Sequence, residues 1–278
     1  VSQNAETGII TVVKAFADAP AAKAGVKNGD IIYKVKGKEV TGVDINNVVT
    51  EMKGEKGTTV DITVYRESEK KYIDFTITRD QVNEPTVEYK MLDKKKKIGY
   101  IQISQFEEVT YDQFTKALDD LKKQGMKAVI FDVRSNPGGL YETVCKMLDE
   151  ILPEGNLVST KDKYGNEEKQ TSDSKCLEMP MVVLQNKDSA SASEIFAGAI
   201  QDFNAGKIVG TQSFGKGIVQ TILPLSDGSA VKLTVQDYYT PSGKNIHGKG
   251  ITPDVEAELE ENATSDTQLE KAKETLMK

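Results

Sequence analysis

The sequence predicts a mixed α+β and α/β chain in two parts, a small strand-rich domain followed by a larger core of strands and helices. Three observations carry this. Residues 8–80 follow strand rhythm, interrupted at short intervals by turn residues. From about residue 84, apolar strand segments alternate with amphipathic helices, the pattern of βαβ crossovers around a mainly parallel sheet. Two of those segments, KAVIFDVR (127–134) and PMVVLQN (180–186), are almost unbroken apolar runs, as strands buried on both faces require. We expect domains at 1–82 and 83–259 and a C-terminal helical segment at 260–278.

In the first part, GIITVVKAF (8–16) reads as a strand. Asp18 is placed to cap a short helix that has Pro20 in its first turn and Gly25 at its end. Asn28-Gly29-Asp30 makes a tight turn into the strand IIYKVKG, and Gly37-Lys38 closes a hairpin. Asp44 caps a helix in which Val48, Val49 and Met52 recur at helical spacing, and Gly54 and Gly57 stop it. TTVDITVYR and KKYIDFTITR follow as paired strands.

In the second part, KIGYIQISQF (97–106) is a strand. TYDQFTKALDDLKKQG is a helix with Phe114, Leu118 and Leu121 on one face. LYETVCKMLDEIL and SASEIFAGAIQDF are further helices, each following one of the two apolar strands. Residues 156–173 read as a polar edge hairpin with Tyr164-Gly165-Asn166 at the tip. Ser226-Asp227-Gly228 turns a second hairpin between late strands. SDTQLEKAKETLMK (265–278) is a capped helix with Leu269, Ala272 and Leu276 on one face, so it must pack on the body or on another subunit.

The chain of 278 residues has a net charge of −7, and its lysine run at Lys94 to Lys97 sits beside Asp93 in a hairpin tip. That balance offers no footprint for nucleic acid. No apolar run approaches the ~20 residues of a membrane span. No signal peptide is recognisable, and the first residue is Val1, which suggests a processed or shortened product. No His, Cys or acidic cluster has metal spacing, no phosphate-cradling loop occurs, and no cofactor is expected. The only cysteines, Cys145 and Cys176, lie 31 positions apart, so a structural disulfide and two partly buried thiols both stay open.

Ligands of open α/β sheets sit outside the carboxyl ends of the strands. That rule selects the loops DVRSNPGG (132–139) and NKDSASAS (186–193). Ser191 stands where strand hands over to helix, a place rich in free N–H groups. A serine there is most simply a cap, but Asp188 or Ser189 can take that role. Ala190, Ala192, Ala197 and Gly198 are small enough for close approach. A nucleophilic hydroxyl needs a base. His247, the single histidine, lies in the turn-rich PSGKNIHGKGITPD and reads as a surface or packing residue. A lysine serves once burial disfavours its ammonium form. Lys216, in GTQSFGKGIVQ, lies between Gly215 and Gly217, with Phe214, Ile218 and Val219 as apolar surroundings and Gln220 four positions on. Taken alone, FGKG also fits an exposed hairpin lysine.

ADAPAAKAGVKNGDIIYKVKGKEV, SASASE, and FGKG-x-VQ 25 residues beyond Ser191 together resemble the carboxyl-terminal processing proteases, Ser/Lys endopeptidases that contain a PDZ domain. The resemblance spans PDZ at 8–80, DVRSNPGG and the later TPSGKNIHGKGITPDVE. It implies a small PDZ β-domain ahead of a crotonase/ClpP-like βαβ core. It implies Ser191 as nucleophile, Lys216 as general base and Gln220 as the residue positioning the base. It further implies an oxyanion hole from the N–H groups of Gly138 and Ala192, with Gly139 close by, and no role for His247. The PDZ groove helix would be 44–53, with Asn47, Val48 and Lys53 touching peptide. The family's first PDZ strand and carboxylate-binding loop would precede Val1 and are not in this sequence.

The function implied is a serine endopeptidase that cuts proteins near unstructured C-termini, its PDZ domain reading and gating substrate. It would work outside the cytoplasm in a bacterium, in a periplasm, on the cell-wall side, or secreted. A dimer, and membrane or wall attachment through a preceding segment, are further expectations. Two alternatives stand beside it. One is a peptide-binding scaffold of the same fold with a relict site, against which the intact set Ser191, Lys216 and Gln220 speaks. The other is a cytoplasmic quality-control protease of the same chemistry.

Overall fold

The computed structural model describes residues 1–16, 19–82, 84–260 and 265–277. The chain divides into two compact units, Val1–Pro85 and Thr86–Lys278, each with its own core. The C-terminal helix belongs to the second unit.

The first unit holds strands β1 (Ser2–Gln3), β2 (Ile10–Thr11), β3 (Ile31–Val35), β4 (Lys38–Glu39), β5 (Thr59–Arg66) and β6 (Lys71–Thr78). They form one sheet in the order β1-β2-β3-β5-β6, with β4 paired to β3. The strand expected over 8–16 is only Ile10–Thr11, although Ile10 and Val12 are both buried as its alternation required. Helix α1 (Pro20–Ala24) ends at Gly25, whose φ of +107° suits glycine. The cap expected from Asp18 lies outside the described residues. Helix α2 (Ile45–Met52) starts as expected, the Asp44 carboxylate accepting the Asn46 N–H. A buried ion pair supports the turn before β3: the Arg66 fork donates to both Asp30 oxygens at 2.7 and 2.8 Å and to the Gly25 carbonyl.

The second unit contains β7 (Val87–Asp93), β8 (Ile98–Ile103), α3 (Thr110–Lys123), β9 (Ala128–Asp132), α4 (Tyr141–Asp149), β10 (Gly155–Asp162) and β11 (Glu167–Ser172). It continues with β12 (Met181–Gln185), α5 (Ala192–Asp202), β13 (Gly206–Gly210), β14 (Ile218–Pro224), β15 (Ala230–Tyr239), β16 (Val255–Glu256) and α6 (Thr267–Thr275). The main sheet runs β16-β13-β12-β9-β8-β7, parallel throughout except for the β7–β8 hairpin. A four-stranded antiparallel sheet, β11-β10-β15-β14, stands beside it. As expected, 156–173 folds into the edge hairpin β10–β11.

Both faces of the main sheet are covered, which explains the unbroken apolar strands. Val129 and Phe131 of β9 join the cluster that contains residues of α3, α4 and α5, while Ile130 between them joins one containing Ala272 of α6. At the centre of the first cluster, Phe196 meets Phe131 edge to face at 5.4 Å. Burying such a ring contributes about 1.5–3 kcal/mol. Helix α6 is tied down by the Arg134 guanidinium, which donates to Asp132 and to Asp266, the α6 cap. The two cysteines are unpaired: Cys145 is buried and Cys176 half-buried.

Candidate active site

Strands β9 and β12 are parallel neighbours with Asp132 beside Leu184, so the loops that follow them emerge side by side. The first loop, 133–139, is pinned by Asn136, which is fully buried. Its Nδ2 donates to the Ile103 carbonyl at 2.9 Å, and its own carbonyl accepts from the Ala190 N–H and the Ser193 hydroxyl. The Ser189 hydroxyl donates to the Val133 carbonyl and accepts from the Asn186 N–H, so it links the two loops rather than capping α5. Ser191 itself is the N-cap residue of α5.

Ser191 has φ +57° and ψ −115°, a conformation rare for any side chain larger than glycine. Such a position costs on the order of 1–3 kcal/mol and persists only where its surroundings hold it. Two groups do so here. Glu194, fully buried, accepts the Ser191 N–H on Oε2 at 2.8 Å. Tyr238, 1% exposed, donates its hydroxyl to the Ser191 carbonyl at 3.1 Å and to the Lys216 carbonyl at 2.6 Å. Burial, helped by the nearby Glu194 charge, pushes the Tyr238 hydroxyl well above its usual pKa, so it stays a donor.

Lys216 arrives from the segment between β13 and β14. Its backbone N–H donates to the same oxygen, Glu194 Oε2, at 2.8 Å. Glu194 Oε1 takes the Gly215 N–H at 2.7 Å and the Ser213 hydroxyl at 2.5 Å. One buried carboxylate therefore holds the backbone nitrogens of residues 191 and 216 within two hydrogen-bond lengths of each other. The glycines around Lys216 are required by close approach. A Cβ at Gly217 would come within 2.6 Å of the His247 nitrogen, and one at Gly215 within 3.0 Å of the Gly250 nitrogen.

Ser191, Ala192, Lys216, Ile218, Val219 and Gln220 line one cavity of about 300 Å³ with Gly139, Leu140, Tyr141, Ile195 and Tyr238. Several expected details differ. Among the described residues no hydrogen bond joins the Ser191 hydroxyl to the Lys216 amine, and Lys216 is half-buried rather than sealed from water. Phe214 is 66% exposed, so it does not shield Lys216; Ile218 and Val219 do line the cavity. Gln220 Nε2 donates to Thr234 Oγ1 at 3.3 Å instead of to Lys216, because β15 lies beside it. His247 is exposed and away from the cavity.

The oxyanion expectation also needs correction. The Gly138 N–H is already donated to Asn136 Oδ1 at 2.8 Å. Gly138 is needed for space: at φ +104° a Cβ there would lie 2.8 Å from Ser191 Cβ. Gly139 is the glycine that lines the cavity. Sequence reasoning missed Glu194, Asn136 and Tyr238. Only Glu194 left a signal, as the acid three residues after a serine in the capping-box pattern.

In the first unit, an apolar cavity of about 530 Å³ is lined by Val12, Phe16, Ile32, Met52, Ile62 and Ile77 among others, with Lys14, Lys53 and Arg79 also on its wall. Of the three residues expected to touch peptide, only Lys53 lines it. Val48 is 2% exposed and packed into the core, which corrects its assignment to a binding face. Asn47 is exposed but lies off this cavity.

A βαβ core with a strained serine at a helix entrance, and a lysine bound through the same carboxylate, defines the class of a serine hydrolase built on a parallel sheet, preceded by a small β-domain. Similarity to known proteins narrows the class to a family. Residues 97–257 match "Peptidase family S41" and residues 1–77 match "PDZ domain", so the chain belongs to peptidase family S41 and carries a PDZ domain. It is 41% identical over 261 residues to a carboxy-terminal-processing protease of Bartonella bacilliformis, which covers 91% of this chain and 59% of that protein. It is 40% identical over 250 residues to a Staphylococcus epidermidis protein called "Probable CtpA-like serine protease", covering 88% of this chain and 50% of the other. The chain thus spans half to three-fifths of the length of these relatives. Its structure resembles that of the photosystem II D1 C-terminal processing protease, with TM-score 0.59 and 31% identity over 98% of this chain and 73% of that one.

Proposed function

We propose that the chain is the peptidase part of a carboxyl-terminal processing serine endopeptidase, with Ser191 as nucleophile and Lys216 as general base. The observation that carries this is the sharing of Glu194 Oε2 by the N–H groups of Ser191 and Lys216, which brings two residues 25 positions apart to one cavity. Neutral Lys216 takes the Ser191 proton as the hydroxyl oxygen bonds to the scissile carbonyl carbon. The carbonyl oxygen becomes an oxyanion, stabilised by the N–H of Ala192 at the α5 entrance and, in this conformation, by that of Gly139. Each such donor is worth about 2.7–4 kcal/mol. The C–N bond then breaks, Lys216 passes its proton to the leaving amine, and water hydrolyses the acyl-enzyme. Rotation about the Lys216 side-chain torsions brings its amine to the hydroxyl; catalytic hydrogen bonds often form only once substrate is bound.

The PDZ unit is proposed to read the substrate chain and gate the cavity, in an enzyme working outside the cytoplasm. The match at residues 1–77 and the apolar cavity of that unit support the peptide-reading role. Digestion of unfolded casein tests the chemistry. The unaltered chain should cut it, while Ser191→Ala and Lys216→Arg should abolish cutting with folding intact, since arginine does not deprotonate. Cleavage that survives Ser191→Ala sinks the assignment.

A further inference from the structure

The cavity beside Ser191 holds a second cation. Lys232 on β15 is register partner to Ile222 on β14, and both line the cavity that contains Lys216. Every other lining residue is apolar or uncharged, and none is Asp or Glu. Lys232 is exposed and, among the described residues, neither it nor Lys216 has an ion-pair partner. The nearby acid, Glu194, is fully buried with both oxygens occupied by four donors. Two unpaired lysines facing a cavity without an acid stand out in a chain of net charge −7.

We propose that Lys232 is a specificity residue, which binds a carboxylate of the substrate chain some three to five residues from the scissile bond. This rests on the reading of Ser191 and Lys216 above: a base works uncharged, which leaves Lys232 as the standing positive charge in the cavity. The spacing follows from β14. Ile222 lies six residues beyond Lys216, about 20 Å along a straight strand at roughly 3.3 Å per residue. The register shift between Val219 and Gln220 and the reach of two lysine side chains shorten that span. An extended substrate crosses the remainder in roughly three to five residues. The carboxylate is either an Asp or Glu side chain or the free C-terminus of the substrate.

Casein digested by the unaltered chain, by Lys232→Met and by Lys232→Glu, with cut sites mapped by mass spectrometry, tests this. Peptides around the preferred cuts are then made with Glu or Gln at each position three to five residues away, and with free or amidated C-termini. The unaltered chain should favour Glu over Gln at one such position by about three- to fivefold in kcat/KM, the scale of one exposed ion pair. Lys232→Met should erase the preference, Lys232→Glu should favour Lys there, and high salt should shrink it. Sensitivity to amidation alone assigns the carboxylate to the C-terminus. A Glu-to-Gln or amidation preference that is unchanged in both variants, or an unaltered chain that distinguishes neither Glu from Gln nor a free from an amidated C-terminus, overturns the proposal while Ser191→Ala still reports separately on the chemistry. Anisotropy titration of labelled Glu, Gln, free-acid and amidated peptides onto Ser191→Ala reads the same contact without turnover, and equal affinities within both pairs also overturn it.

Discussion

Replacing Glu194 by Gln should destabilise the second unit and stop cleavage together. The carboxylate accepts four hydrogen bonds: two backbone N–H groups on Oε2, and one N–H plus one hydroxyl on Oε1. Glutamine offers one acceptor oxygen and an amide nitrogen that only donates. If the oxygen keeps the Gly215 and Ser213 bonds, the amide faces the Ser191 and Lys216 N–H groups, donor against donor. Reversing it moves the clash to Gly215, where the Ser213 hydroxyl could turn but the N–H could not. At least one buried N–H then lacks a partner, at about 1–3 kcal/mol, and the charge-assisted bonds weaken as well. We expect a total of about 3–5 kcal/mol, as for breaking one side of a buried charged network. For a unit of this size that lowers Tm by roughly 6–20 °C. Because the orphaned groups include those holding Ser191 in its strained conformation, casein cleavage should fall at least tenfold below the melting transition. Thermal unfolding by circular dichroism and a cleavage assay at 25 °C measure both. A Gln variant with Tm within 2 °C of the parent and full activity would refute the claim that this carboxylate holds the two loops together.

Tyr238→Phe removes one hydroxyl donor shared by two carbonyls. It should cost about 0.5–1.5 kcal/mol of stability and lower kcat more than it raises KM, since the ring that lines the cavity stays; stopped-time assays over substrate concentration separate the two. Burial pushes the Cys145 thiol up to about 12, so at pH 8 iodoacetamide should label Cys176 in the folded chain and reach Cys145 only on unfolding, as intact-mass spectrometry will show. The same shift has a sign for stability. A thiol with raised pKa in the folded chain contributes stability that is present below the unfolded value near 8.5–9 and is lost as pH climbs toward 12. Cys145→Ala should flatten that alkaline decline; an unchanged slope would assign it to other groups.

Much of the architecture was legible in residue order. The unbroken apolar strands at 127–134 and 180–186, each followed by an amphipathic helix, announced a parallel sheet covered on both faces. Ile130 and its neighbours Val129 and Phe131 do face opposite layers. The rule that ligands gather at strand carboxyl ends picked out the two loops that meet at Ser191. The strand over 8–16 was overestimated because apolar alternation persists past the two residues of the β2 ladder; beyond it, Val12 still exchanges backbone hydrogen bonds with Gly29 and Asp30 in the turn before β3. Val48 was misplaced because helical spacing defines an apolar face but not whether that face meets a peptide or the domain's own core; here it meets the core.

By itself, the sequence determined the order of strands and helices and the two loops that meet at Ser191. Local rules suffice for these, because periodicity, turn residues and motif spacing are properties of neighbouring positions. The tertiary structure alone decided which donors are free and which are taken. Gln220 bonds Thr234 because β15 is brought alongside it, Phe214 is left exposed to water, and Gly138 gives its N–H to Asn136 two residues before it. It also decided that the Glu194 oxygen that takes the Ser191 N–H, a bond the capping-box spacing marks, takes the Lys216 N–H as well, a bond between residues 22 positions apart that no spacing of letters marks.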